Sequence, residues 1–242
     1  MNSGVQIMFM DSMLRAHVQR EQDVLPVLHP EEQARYRTFT HPHRRQTWLA
    51  GRALLLASLA RQFGRIDATA LRTDPDGGVR YHAAPVHLSL SHCRDLIAAA
   101  ISSVRVGVDI EWPRPRALLR DPAQVFHPFE AAYLQSLPES QRQDAFYMFW
   151  TLKEAACKSA GTSLLKTLRS TCFDIAAARF SSEAPFPSGA WRFMSARIEP
   201  GWRLALAISD SGEIPHIESW RLLAATQWDR QLLAGQVFLQ GK

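Results

Sequence analysis

The sequence predicts an α+β fold, with helices and a few antiparallel strands occurring once in each half of the chain. Three patterns carry that expectation. Between Arg45 and Phe63 the residues Trp48, Leu49, Leu54, Leu55, Leu56, Leu59 and Phe63 recur at helical spacing. Short apolar segments follow at Val86–Ser91, Leu96–Ser102 and Val106–Glu111, the first alternating Val86, Leu88 and Leu90 with His87, Ser89 and Ser91 as a half-buried strand does. In the second half, Trp191–Ile198 and Trp202–Ser209 flank Glu199-Pro200-Gly201, a hairpin signal.

The other elements fill in around these. Val5–Phe9 has the apolar content of a strand, and Pro30-Glu31-Glu32 opens a short helix with acids in its first turn. Pro75-Asp76-Gly77-Gly78 is a turn. Pro113 and Pro115, within Trp112-Pro113-Arg114-Pro115-Arg116, interrupt regular structure and place a boundary near residue 112, giving lobes 1–112 and 113–242. Helices are expected over Pro128–Gln135 and Gln141–Gly161, and a strand over Cys172–Ile175. The halves share no visible sequence repeat, so their likeness rests on element order.

Composition narrows the function classes. A chain of 242 residues with 46% apolar and 21% charged residues buries a substantial core, which excludes bulk disorder. The apolar stretch Ala53–Ala60, closed by Arg52 and Arg61, is far too short to span a bilayer, and no basic segment precedes an apolar one at the start. A soluble, cytoplasmic protein with no signal peptide is expected, its cysteines Cys93, Cys157 and Cys172 remaining reduced thiols. The net charge of +5 comes from 24 arginines against four lysines. It favours an anionic partner (nucleic acid, a phosphorylated small molecule or an acidic protein), or simply an arginine-rich solvated surface.

Four groups of residues bear chemistry. In Val106-Gly107-Val108-Asp109-Ile110-Glu111, alternation puts Asp109 and Glu111 on one strand face over Val108 and Ile110. Paired oxygen ligands suit a hard divalent ion shared with substrate phosphates, although alone the pair reads as two solvated acids at a strand end. In Phe149-Trp150-Thr151-Leu152-Lys153-Glu154-Ala155-Ala156-Cys157-Lys158, Glu154 and Lys158 share a helix face, either as a surface ion pair or as a carboxylate tuned for base work. Ser91-His92 ends a strand where hydroxyl, imidazole and backbone N–H groups can hold phosphate. No G-x-S-x-G elbow surrounds it, which argues against a Ser–His nucleophile. Arg35, Arg37, His41, His43, Arg44, Arg45 and Arg52, with Arg80 later, can grip phosphates or line a solvated helix. Without aromatic-interleaved motifs, RNA binding is not expected.

In this order and spacing the groups resemble the 4′-phosphopantetheinyl transferase superfamily. Its pattern is a G-[VI]-D segment, about forty residues, then [FW]-[SCT]-x-K-E-[AS]-x-x-K, and every fixed position matches Gly107–Glu111 and Trp150–Lys158, with Glu154 lying 43 positions after Glu111. Ser91-His92 is similar to the family's Ser-His element. The resemblance covers most of the chain and is closest to the long, two-lobed surfactin-synthetase-activator group. It implies lobes related by a pseudo-twofold with coenzyme A, the co-substrate, in the cleft between them. It also implies Mg2+ held by Asp109, Glu111 and Glu154, with Asp109 and Lys158 contacting coenzyme A. Glu154 would be the general base and Lys158 would neutralise the leaving phosphate, making these two the catalytic residues.

Ser91 and His92 would contact the phosphates of coenzyme A, and Arg44, Arg45 and Arg80 stand where some relatives use lysines for the 3′-phosphate and adenine. The implied reaction moves 4′-phosphopantetheine to a serine of an apo acyl or peptidyl carrier protein, releasing 3′,5′-adenosine bisphosphate. The acidic carrier accounts for the basic charge with no nucleic acid or membrane partner, and a monomer is expected. Asp109 and Glu154 are both expected in a wet cleft. Two alternatives remain open: a non-catalytic homologue that binds coenzyme A or the carrier, which predicts erosion of the acids or Lys158, and an Mg2+-dependent phosphohydrolase.

Overall fold

Backbone pairing sorts the strands into two sheets, and each sheet carries its own helices. The computed structural model describes residues 4–11, 21–75, 77–115, 121–183, 186–209, 216–224 and 227–241. Asp76 and Arg116, from the expected turn and boundary, lie outside them. The chain divides into two compact units, one of Met1–Ser103 with Pro215–Leu232 and one of Val104–Ile214 with Leu233–Lys242.

The first unit holds β1 (Val5–Asp11), α1 (Glu21–Val24), α2 (Pro30–Thr38), α3 (Pro42–Phe63), β2 (Leu71–Thr73), β3 (Val79–Tyr81), β4 (Val86–Cys93) and β5 (Leu96–Ser102). The second holds β6 (Val106–Glu111), α4 (Pro128–Ser136), α5 (Glu139–Ala160), α6 (Leu164–Ser170), β7 (Thr171–Asp174), β8 (Arg179–Ser182), β9 (Trp191–Ile198) and β10 (Trp202–Ser209). The chain then returns to the first unit with β11 (Ile217–Ala224) and β12 (Gln227–Arg230), and ends in the second with β13 (Ala234–Gly241). Sheet orders are β12-β11-β1-β5-β4-β3-β2 and β6-β10-β9-β13-β8-β7. Each is antiparallel apart from one parallel pair, β1 with β11 and β13 with β8.

The fold is therefore α+β as expected, but the sheets are larger than the small ones anticipated. β2, β3 and β8 are too short to show a period, β11 and β13 find partners far away in sequence, and β12 joins its sheet only through β11. Nor does the chain divide at residue 112. β6 lies in the second unit because its hydrogen-bonding partner is β10, with Asp109 opposite Ala205 and Glu111 opposite Arg203.

In the first unit, α3 turns its apolar stripe onto β5 and β1, and Leu54, Leu55, Leu59, Met8, Ile97 and Ile101 pack into one core. In the second, α5 lies on β6 and β10 over an aromatic core in which Phe126 meets Phe146 edge-on at 5.0 Å and Phe173 meets Phe193 at 4.9 Å. The α5 backbone approaches β6 at Gly107. A Cβ there would stand 2.0 Å from Ala155 O and 2.7 Å from Ser159 N, so only glycine admits the helix. Gly161, at φ +67, ends α5 in the left-handed conformation.

An ion pair lies inside this core. Lys153 Nζ is 2.9 Å from Glu130 Oε2, both side chains being fully buried, and it donates to Thr171 O at 2.6 Å. Glu130 also accepts from Phe173 N at 2.8 Å and closes the N-terminal cap of α4 by accepting from His127 N. Desolvation pushes the Glu130 carboxyl up and the Lys153 ammonium down, and the opposite charge of each partner resists both shifts.

Two substitutions test this packing. Gly107→Ala must push α5 off β6 and is expected to destabilise the protein by about 3 kcal/mol, read as a lower urea midpoint. Lys153→Met strands a buried carboxylate and is expected to cost about 3–5 kcal/mol in the same measurement.

Candidate functional site

The second unit builds its charged site from the β6–α5 contact. Gly107, Asp109 and Glu111 alternate onto the face that meets α5, while Val108 and Ile110 are buried on the opposite face. Lys158, in the last turn of α5, donates from Nζ to Asp109 Oδ1 at 2.8 Å and to Val108 O at 3.1 Å. A lysine there also complements the negative end of the helix. Asp109 is 5% exposed, buried instead of wet, because α5 sits directly over its strand. Glu154 and Glu111 are half-buried.

At its other end α5 is held by Asp144. This carboxylate accepts from Arg203 Nε of β10 at 2.5 Å and from Arg197 Nη2 of β9 at 2.6 Å. Burial raises the Asp144 carboxyl, but the two guanidiniums outweigh it and hold the group below its ordinary value. Arg203 stands opposite Glu111 in the strand register, so the row of acids on β6 ends beside a cation.

The lysines of the expected motif separate. Lys158 faces Asp109, whereas Lys153 is a core residue paired with Glu130. Asp109, Glu111 and Glu154 are hard oxygen donors of the kind Mg2+ accepts, and one or two suffice when substrate phosphates complete the shell. Among the described residues no group of three or more His, Cys, Asp or Glu side chains stands together as a metal cage. The hard oxygen donors fit an ion shared with a phosphorylated substrate.

The first unit offers a basic cavity of about 380 Å3 between α2, α3 and β4. Arg44, Ser91 and His92 line it, as do Arg35 and Arg52 from the basic segment, with the Trp48 ring as an apolar wall. Arg45 and Arg80 are not on this lining. Arg45 turns back to donate to Phe39 O and lies over the Tyr36 ring, and Arg80 pairs with Asp74. Arg52 is the residue whose importance a count of basic residues misses, since the partner that buries it, Glu32, is 20 positions away. Among the described residues no cysteine is in a disulfide, and burial pushes the Cys172 thiol up to about 11, leaving it protonated at neutral pH.

Comparison with known proteins bears on the β6–α5 residues. Residues 105–207 match the model of the 4′-phosphopantetheinyl transferase superfamily. The chain is similar to the 4′-phosphopantetheinyl transferase HetI of a Nostoc species, 33% identical over 60% of this chain and 64% of the relative. It is similar to AcpT of Escherichia coli K12, 36% identical over 50% of this chain and 60% of the relative. It also matches Sfp of Bacillus subtilis, 25% identical over 73% of this chain and 80% of the relative. The matched stretch thus spans less than two thirds of HetI and of AcpT.

The Asp144 clamp predicts a pH dependence. A carboxyl held below its unfolded value adds stability above that value and loses it as pH falls through the folded one. Asp144→Asn is therefore expected to flatten the acid limb of the stability profile below about pH 4, measured by urea midpoints across an acid titration.

Proposed function

We infer that this chain, which belongs to the 4′-phosphopantetheinyl transferase superfamily, transfers the 4′-phosphopantetheine group of coenzyme A to a serine of an apo acyl or peptidyl carrier protein. The observation that carries the reading is the seat of α5 on Gly107, which brings Lys158 to Asp109 within the stretch that the family model matches. In this reading the serine Oγ bonds to the β-phosphorus of coenzyme A. The bridging P–O bond breaks, and 3′,5′-adenosine bisphosphate leaves with the electron pair.

Each residue then has a task. Glu154 accepts the serine proton at a carboxylate oxygen. Lys158 Nζ donates a hydrogen bond to the departing phosphate and offsets the charge that builds there. Asp109, Glu111 and Glu154 would hold Mg2+, which when bound supplies neutralisation of the pyrophosphate. Asp109 also orients Lys158. The basic cavity takes the phosphates of coenzyme A on Arg44, Ser91 and His92, and Arg45 and Arg80 serve the 3′-phosphate and adenine after turning from Phe39 O and Asp74. The protein works as a cytoplasmic monomer on carrier protein, not on nucleic acid or membrane. In support, the net charge of +5 suits an acidic carrier.

Intact mass of an apo carrier incubated with this protein, coenzyme A and Mg2+ tests the reading. A gain of one phosphopantetheine that chelation abolishes is expected, and no gain across fatty-acid, polyketide and peptide carriers overturns it. Metal-dependent hydrolysis of phosphate esters without carrier would point to a phosphohydrolase. Asp109→Asn and Glu154→Gln are each expected to abolish the gain, Glu154→Gln with little change in melting temperature and Asp109→Asn with a lower one, because it removes the charge from a buried ion pair. Lys158→Met is expected to lower kcat by about 100-fold or more while leaving KM for coenzyme A within a few-fold; raised KM at unchanged kcat would contradict its role.

A further inference from the structure

The arginines Arg35 and Arg44 at the cavity of the first unit are exposed, but Arg52 is 4% exposed and pinned on three sides. Its Nε donates to Glu32 Oε2 at 2.6 Å and its Nη2 to Thr73 Oγ1 at 2.6 Å. The guanidinium carbon lies 4.5 Å from the centre of the Trp48 ring. Glu32 is itself fixed, since its other oxygen accepts from Thr73 N at 2.8 Å and its side chain is buried. The pairing is one-sided: a guanidinium that served only to neutralise Glu32 would present two parallel N–H groups to the carboxylate. Here among the described residues Nη1 has no hydrogen-bond partner, and Arg52 lines the cavity.

We propose that Glu32 and Thr73 are positioning residues that hold Arg52 with Nη1 available to a phosphate in this cavity, and that Arg52 reads the phosphorylated end of the coenzyme A nucleotide. The proposal rests on the reading that the cavity takes coenzyme A phosphates. The physical basis is preorganisation. An arginine free in water must give up side-chain entropy when it grips an anion, whereas one already clamped by Glu32, Thr73 and the Trp48 face has lost that freedom on folding. The clamp also dictates an unusual sign. Coulomb's law alone says that removing the negative charge of Glu32 from beside an anion site tightens anion binding. Removing the clamp loosens it.

Calorimetric titration of the whole protein with 3′,5′-adenosine bisphosphate separates the two. Glu32→Gln is expected to weaken binding about fivefold, although it adds a net positive charge. Arg52→Lys, which keeps the charge but loses the fork, is expected to weaken it about tenfold. Thr73→Val changes no charge and is expected to weaken binding about threefold, so it serves if Glu32→Gln melts below the working temperature. In the transfer reaction the same variants should raise KM for coenzyme A with kcat nearly unchanged. Unchanged or tighter bisphosphate binding by folded Glu32→Gln, or unchanged binding by Thr73→Val, overturns the positioning role while leaving the transferase reading intact. A native protein that binds neither the bisphosphate nor coenzyme A overturns both.

Discussion

The close approach of α5 to Gly107 is the contact on which the second unit depends. With no side chain at that position, the helix backbone settles onto β6 at a distance no other residue permits. The same helix face then covers Ala205 and Ala207 of β10, the strand partners of Asp109 and Gly107. Small residues beneath the helix let the charged side chains at its two ends reach the sheet: Asp144 to Arg203 and Arg197, Lys158 to Asp109. A register slip of one residue would turn Asp109 to the opposite face of the sheet and dismantle the site.

One helix also puts two lysines to opposite uses. Lys153 and Lys158 are five positions apart, about 140° around an α-helix, so they cannot face the same neighbour. Lys153 enters the core, where Glu130, Thr171 and the packed aromatics leave it no access to solvent. Lys158 stays at the rim with its side chain 29% exposed, near enough to hold Asp109 and open enough to meet a substrate. Glu32 and Arg52 repeat the buried-pair device in the first unit, with the difference that Arg52 also faces a cavity.

What could be read in the sequence depended on how local its cause was. β9 and β10 fall where the hairpin signal at Glu199-Pro200-Gly201 puts them, and α3 and α5 follow their 3.6-residue stripes. The α+β class follows from those elements alone. β11 and β13 were not legible, because their order comes from pairing with β1, β8 and β9, which are distant in sequence, and β12 is held only by β11. The candidate site divides in the same way. Alternation puts Asp109 and Glu111 on one face, and helical spacing puts Glu154 beside Lys158, but the burial of Asp109 needs the helix above it. Nothing local distinguishes Lys153 from Lys158, or Arg52 from the exposed arginines around it, since the deciding partners Glu130 and Glu32 belong to other helices.

The central claim is that Asp109 and Lys158 act as one device, joined by the seat of α5 on β6. A double-mutant cycle on the single-turnover rate of phosphopantetheine transfer, using Asp109→Asn, Lys158→Met and the pair together, measures that coupling directly. If the two groups work as a unit, the double variant should be no slower than the slower single variant. A double variant whose loss equals the product of the two single losses would mean that the residues act independently, and would contradict the account.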